Sequence, residues 1–182
     1  MDPGFLLPAR GDTIGEIPTP NAHPGSDPLL TLHGRRYDTG EPIAVHITGE
    51  RIHSVIPATP RGAVEDWPWI APGLFDLQIN GHGGVWFSDE HLTIEQARTT
   101  VLAYRRFGVT RLCPTLITNS HAALLHGFQT LRQACDADPL VHHMAPGFHL
   151  EGPYISPEDG PRGAHPRQHV RAANWEEFQD LQ

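Results

Sequence analysis

The chain has 182 residues, 38% of them hydrophobic and 19% charged, with a formal net charge of −8, which is the balance of an ordinary globular protein. The acidic excess excludes general nucleic-acid binding, which needs Lys and Arg to displace phosphate counterions. No apolar run approaches the roughly 20 residues that span a bilayer, and the start of the chain, with Asp2 and only "FLL", does not read as a signal peptide, so no membrane attachment and a cytoplasmic location are expected.

Residues 1–28 hold six prolines and four glycines with little apolar periodicity, and are expected to form an extension without stable order. From Leu29 to residue 70 the pattern changes to short alternating runs, "LLTLH", "PIAVHIT" and "RIHSVIP". Turn signals at Gly34, "DTGEP" and "TGE" separate them, and the pattern predicts a small antiparallel β domain with Val45 and Ile47 on its inner face.

Residues 71–182 alternate strand with helix. "LFDLQIN" reads as the first strand. A helix follows from Thr93, whose hydroxyl with Gln96 makes a capping-box pattern; Ile94, Ala97, Val101 and Tyr104 share one face before Gly108. "VTRLCPTLIT" is the second strand, and a helix beginning near Asn119 or Ser120 presents Leu124, Phe128 and Leu131 at helical spacing. A third strand is expected from about Met144 to Glu151. Such alternation calls for a parallel sheet in an α/β fold. "NWEEFQDLQ" starts a further helix with Asn174 as cap. Three β/α units cannot close an eight-stranded barrel of about 250 residues, and an open sheet would leave bare edges, so the expectation is part of a longer protein. Cys113 and Cys135 lie too far apart for a Cys-x-x-Cys site, and buried reduced thiols are expected. The 13 histidines show no metal-finger or His-Glu-x-x-His spacing, so most should be structural.

The stretch "GFHLEGPYISPEDGPRGAH" is the informative one. Side chains alternate along a strand, so His149 and Glu151 share a polar face opposite Phe148 and Leu150, and Glu151 stands at the strand's carboxyl end. A carboxylate closing an apolar run needs a partner, and a cation is one candidate. Equally open is that Glu151 accepts from neighbouring amides or pairs with Arg162, and that His149 is a satisfied core histidine. In "FDLQINGHGG", Asp76, Gln78 and Asn80 share a face opposite Phe75, Leu77 and Ile79. The residues alone establish a polar pocket able to take a metal.

Together "APGLFDLQINGHGGVWFSD", "GVTRLCPTLITNS" and "GFHLEGPYISPEDGPRGAH", with the β segment before them, resemble the amino-terminal half of the N-acetylglucosamine-6-phosphate deacetylases of the amidohydrolase superfamily. The resemblance covers about residues 29–182. It implies the first three β/α units of a (β/α)8 TIM-type barrel behind the small β domain. It also implies hydrolysis of a phosphosugar acetamide with one divalent metal ion, zinc or another transition metal, and a homodimer at full length. Glu151 is then a metal ligand, Ala164 and His165 line the phosphosugar site, and Gln78, Asn80 and His149 are pocket candidates. Gln78 and Asn80 stand where many superfamily members carry His-x-His. Amides are poorer ligands for zinc-like ions, which favours a single-metal site. The two histidine ligands and the catalytic aspartate that the resemblance implies would lie beyond Gln182. Two other readings are a different amidohydrolase acting on another amide or a cyclic imide, and an inactive truncated chain that serves in binding.

Overall fold

The computed structural model describes residues 29–182; the extension expected at residues 1–28 lies outside the described residues. Two compact units divide between Ala71 and Pro72.

In the first unit, β1 (Leu29–Arg36), β2 (Pro42–Thr48) and β3 (Arg51–Pro57) form an antiparallel meander, and β4 (Trp69–Ile70) adds to the free side of β1 in parallel, so the sheet is mixed. Gly34 was expected to break the first strand. Instead β1 runs through it, because a Cβ there would lie 2.6 Å from both the Pro68 carbonyl oxygen and Ile70 Cγ1. The missing side chain is what admits β4, whose approach is fixed by the bond from Arg35 N to Pro68 O at 2.7 Å. Val45 is buried, while Ile47 is only half-buried next to a register shift between His46 and Ile47.

In the second unit, β5 (Leu74–Ile79), β8 (Val109–Ile117) and β9 (His149–Glu151) form a parallel sheet in the order β5-β8-β9. A small hairpin, β6 (Gly81–His82) and β7 (Val85–Trp86), follows β5. Helix α1 (Ile94–Ala103) carries both halves of its capping box, Thr93 and Gln96 each accepting from the other's backbone N–H, and a single 3-10 turn then leads into Gly108 at φ 79°. Ser120 caps α2 (His121–Ala137), whose buried stripe of Leu124, Gly127, Leu131 and Ala134 covers β8. Leu112 and Leu116 of β8 are fully buried, and with Phe87, Val101, Leu124 and Leu131 they make the core. Ile94, at the helix start, is exposed. Cys135 is a buried free thiol and Cys113 a half-buried one.

The third strand is shorter than its pattern implies. Helix α3 (Pro139–Met144) takes Met144, residues 145–148 are irregular, and only His149–Glu151 is strand. Asp138 nucleates α3: one carboxylate oxygen accepts from Leu140 N at 2.9 Å, the other from Arg98 of α1 at 2.8 Å, and Pro139 occupies the first turn, where its missing N–H costs nothing. The Leu140 amide, reinforced by Arg98, holds the Asp138 carboxyl below its ordinary range. Phe75 and Leu77, on the apolar face of β5, are 50% and 66% exposed, because β5 is an edge strand and α1 packs on α2, α3 and the hairpin. A last helix, α4 (Trp175–Leu181), is capped by Asn174 and packs on α2.

Candidate functional site

Strand order decides the site. Placing β8 between β5 and β9 sets the polar residues of the two outer strands facing each other across it. Gln78 on β5 donates its amide to Glu151 Oε2 on β9 at 2.7 Å, a pairing between residues 73 apart in sequence. The other carboxylate oxygen, Oε1, lies 3.5 Å from His165 Nε2. On the far side of the same ring, Nδ1 is 2.8 Å from the hydroxyl of Thr118, just past the end of β8. Glu151 therefore ends its strand with an amide on one oxygen and an imidazole on the other, at the carboxyl ends of three parallel strands.

His165 reaches this place through the loop after β9. Gly152 turns the chain with φ 80°, in the left-handed region that favours glycine. Arg162 then holds the loop from inside: its guanidinium pairs with Asp159 and donates Nη1 to the His165 carbonyl oxygen at 2.7 Å. The pairing of Arg162 with Glu151 open from the sequence is thus not the one formed. Further along, Arg171 donates to both Glu177 oxygens and to the carbonyl oxygens of Asn119 and His169, tying the loop to α4 and to the start of α2. His121 adds a contact to Glu177 at 3.5 Å. The hydrogen bonds from Arg171 outweigh desolvation and hold the Glu177 carboxyl below its ordinary range.

The other expected residues are less engaged. His149 Nδ1 lies 3.4 Å from the Thr115 hydroxyl, which donates to the Cys113 carbonyl oxygen at 3.0 Å and accepts from Ile79 N at 3.1 Å, so His149 sits beside the middle strand without a close partner there. Asn80 is half-buried, with its carbonyl oxygen accepting from Phe87 N at 2.9 Å. Ala164 is exposed in the turn beside His165. Sequence reasoning passed over Thr118, and it weighed Arg162 only as a partner for Glu151. The one available signal for Thr118 was a hydroxyl at the carboxyl end of a buried middle strand. Nothing in the sequence points to the bond that Arg162 makes to the His165 carbonyl oxygen.

A divalent ion fits these residues only as part of a larger donor set. Glu151 offers a partly exposed carboxylate with an imidazole beside it, but among the described residues no three His, Cys, Asp or Glu side chains are arranged to hold a metal ion. Among the described residues, no helix is long and apolar enough to cross a membrane.

A parallel β/α sheet with a carboxylate and an imidazole gathered at the strands' carboxyl ends defines an α/β domain of the kind that places its ligand sites there. No family model matches the chain. Known proteins similar to it are deacetylases of amino-sugar phosphates. The human N-acetylglucosamine-6-phosphate deacetylase is 42% identical over 115 residues, 62% of this chain and 27% of that protein. An N-acetylgalactosamine-6-phosphate deacetylase of Shewanella sp. (strain ANA-3) is 27% identical over 169 residues, 85% of this chain and 41% of its own length. Among solved structures, the D267A mutant of the Mycobacterium smegmatis N-acetyl-D-glucosamine-6-phosphate deacetylase, in complex with N-acetyl-D-glucosamine-6-phosphate, superposes with a TM-score of 0.66 at 26% identity, over 84% of this chain and 40% of that one. The chain thus spans less than half the length of each.

Proposed function

We propose that the chain is the part of a metal-dependent deacetylase that supplies one metal-binding carboxylate and a portion of the phosphosugar site. Joined to the remaining length of its relatives, it would hydrolyse the acetamide of N-acetylglucosamine 6-phosphate to glucosamine 6-phosphate and acetate. The observation that supports this best is the meeting of Gln78, Glu151 and His165 at the strand ends of a chain 42% identical, over its matched part, to a deacetylase of that substrate. On this reading β5, β8 and β9 are the first three strands of a (β/α)8 barrel.

Each residue then has a task. Glu151 would hold the ion, while Gln78 fixes one of its carboxylate oxygens and so the carboxylate's orientation. The ion supplies Lewis acidity toward the acetamide carbonyl when bound. His165, beside exposed Ala164, hydrogen-bonds the phosphosugar; a small side chain at Ala164 leaves room for the sugar. Asn80 and His149 would line the pocket. The extended protein is proposed to be a cytoplasmic homodimer, which light scattering and cell fractionation check.

The deciding experiment measures acetate release from N-acetylglucosamine 6-phosphate by the extended protein, with zinc or another transition metal added. No acetate above background sinks the reading. The Shewanella relative favours a second substrate by its longer match, 85% of this chain. N-acetylgalactosamine 6-phosphate therefore belongs in the same assay, and a higher kcat/KM for it would reassign the sugar while keeping the chemistry.

A further inference from the structure

Thr118 is 1% exposed, and its hydroxyl has two neighbours that can take its single proton: His165 Nδ1 at 2.8 Å and the Glu151 carbonyl oxygen at 3.4 Å. Two arrangements are open. The hydroxyl can donate to Nδ1, which puts the ring proton on Nε2; or it can donate to the carbonyl and accept from Nδ1–H, which leaves a bare Nε2 lone pair. The distances favour the first, since 2.8 Å is the ordinary length for a hydroxyl bond and 3.4 Å is beyond it. The other side of the ring agrees. Nε2 lies 3.5 Å from Glu151 Oε1, and a proton there meets a carboxylate, whereas a lone pair would face another lone pair across the gap.

We infer that Thr118 is a positioning residue that holds His165 with its proton on Nε2, so that the imidazole presents a hydrogen-bond donor to ligand oxygen at the site mouth. This rests on the reading of His165 as a residue of the phosphosugar site, and it names what that residue offers: a donor, suited to a phosphate, hydroxyl or amide oxygen. The surroundings are built to keep the contact. A Cβ on Gly152 would lie 2.0 Å from the Thr118 hydroxyl oxygen and 3.6 Å from His165 Nδ1, so only glycine lets the hydroxyl and the ring meet there. Arg162 separately fixes the His165 backbone through its carbonyl oxygen. Ring and backbone are thus held from two different elements, β8 and the loop.

The test reads the ring nitrogens directly. Long-range 1H–15N spectra of the 182-residue chain, in chelator and at about pH 8.5, where an ordinary imidazole is neutral, report which nitrogen carries the proton; signals lost in H165Q assign His165. In the wild-type chain and in T118S, one tautomer with the proton on Nε2 is expected. T118V, which keeps the shape and removes the hydroxyl, should show His165 split between both tautomers. A proton on Nδ1 in the wild-type chain overturns the inference, as does a T118V spectrum identical to wild type. Wild type and T118S decide the question even where T118V does not fold. Failure of the extended protein to release acetate would remove the proposed function and leave this tautomer result standing.

Discussion

Gly127 sits where α2 crosses Leu116 of β8, and a Cβ built on it would lie 2.4 Å from Leu116 Cδ2 and 3.2 Å from the Phe87 carbonyl oxygen. Replacing this glycine by alanine should gain about 1 kcal/mol of helix propensity. Forcing the fully buried Leu116 aside in a packed core costs about 1–3 kcal/mol, so Gly127→Ala alone is expected to be neutral to destabilising by about 2 kcal/mol. Leu116→Ala alone should cost about 2–5 kcal/mol, from lost transfer energy and the cavity left behind. In the double variant the clashing atom is gone, the propensity gain survives, and the new methyl fills part of the cavity; only the 3.2 Å approach to Phe87 O needs a small shift. Gly127→Ala is therefore expected to stabilise the Leu116→Ala background, with a coupling of about 1–3 kcal/mol relative to the sum of the single changes. Urea unfolding of the four proteins followed by circular dichroism measures it. Additivity within about 0.5 kcal/mol would refute the claim that Gly127 is glycine to make room for Leu116.

Glu177 is paired with Arg171 and its carboxyl is depressed, so its contribution is present above the ordinary glutamate range and lost as pH falls through the lower folded value. Unfolding free energy between about pH 5 and 3 should therefore fall less steeply in Glu177→Gln than in wild type, and parallel curves would show that the pair does not couple to stability. Glu151→Gln, in the extended protein, should remove most bound metal by elemental analysis while circular dichroism stays near wild type; normal metal occupancy would mean that Glu151 is not a ligand. His165→Ala in the same protein should lower kcat/KM for the phosphosugar by about 10- to 150-fold, the value of a hydrogen bond to a charged ligand, with metal content unchanged. Equal kinetics would leave His165 outside the substrate's reach.

The β/α alternation, the capping box at Thr93 and the Ser120 cap were legible because each is a local preference that tertiary packing does not oppose. Asp138 followed by Pro139 is a local helix-start signal that went unread, and the cap it makes forms helix α3 just ahead of the expected strand. The alternation that put Glu151 and His149 on one face was readable, but their partners were not. Gln78 and Glu151 meet only because β8 lies between their strands, and Thr118 reaches His165 across 47 positions of sequence. The exposure of Phe75 and Leu77 was unreadable for the opposite reason: alternation says which residues share a face, and not whether anything covers it.

The bond from Gln78 to Glu151 also sets a timetable. Its partners are 73 residues apart, so at synthesis rates of roughly 5–20 residues per second about 4 to 15 seconds separate their emergence. Helices α1 and α2, each with its own cap, can form in microseconds within that interval, and β5 can pair with β8 well before β9 exists. From the emergence of β8 until β9 follows, one edge of β8 stands unpaired on a nascent chain that also exposes Leu74, Phe75 and Leu77, which is the combination holdase chaperones recognise. The contact between Gln78 and Glu151 can therefore form only after β5 and β8 have emerged, and a pause placed between codons 118 and 149 would lengthen the period in which β8 is open to a neighbouring chain on the same message.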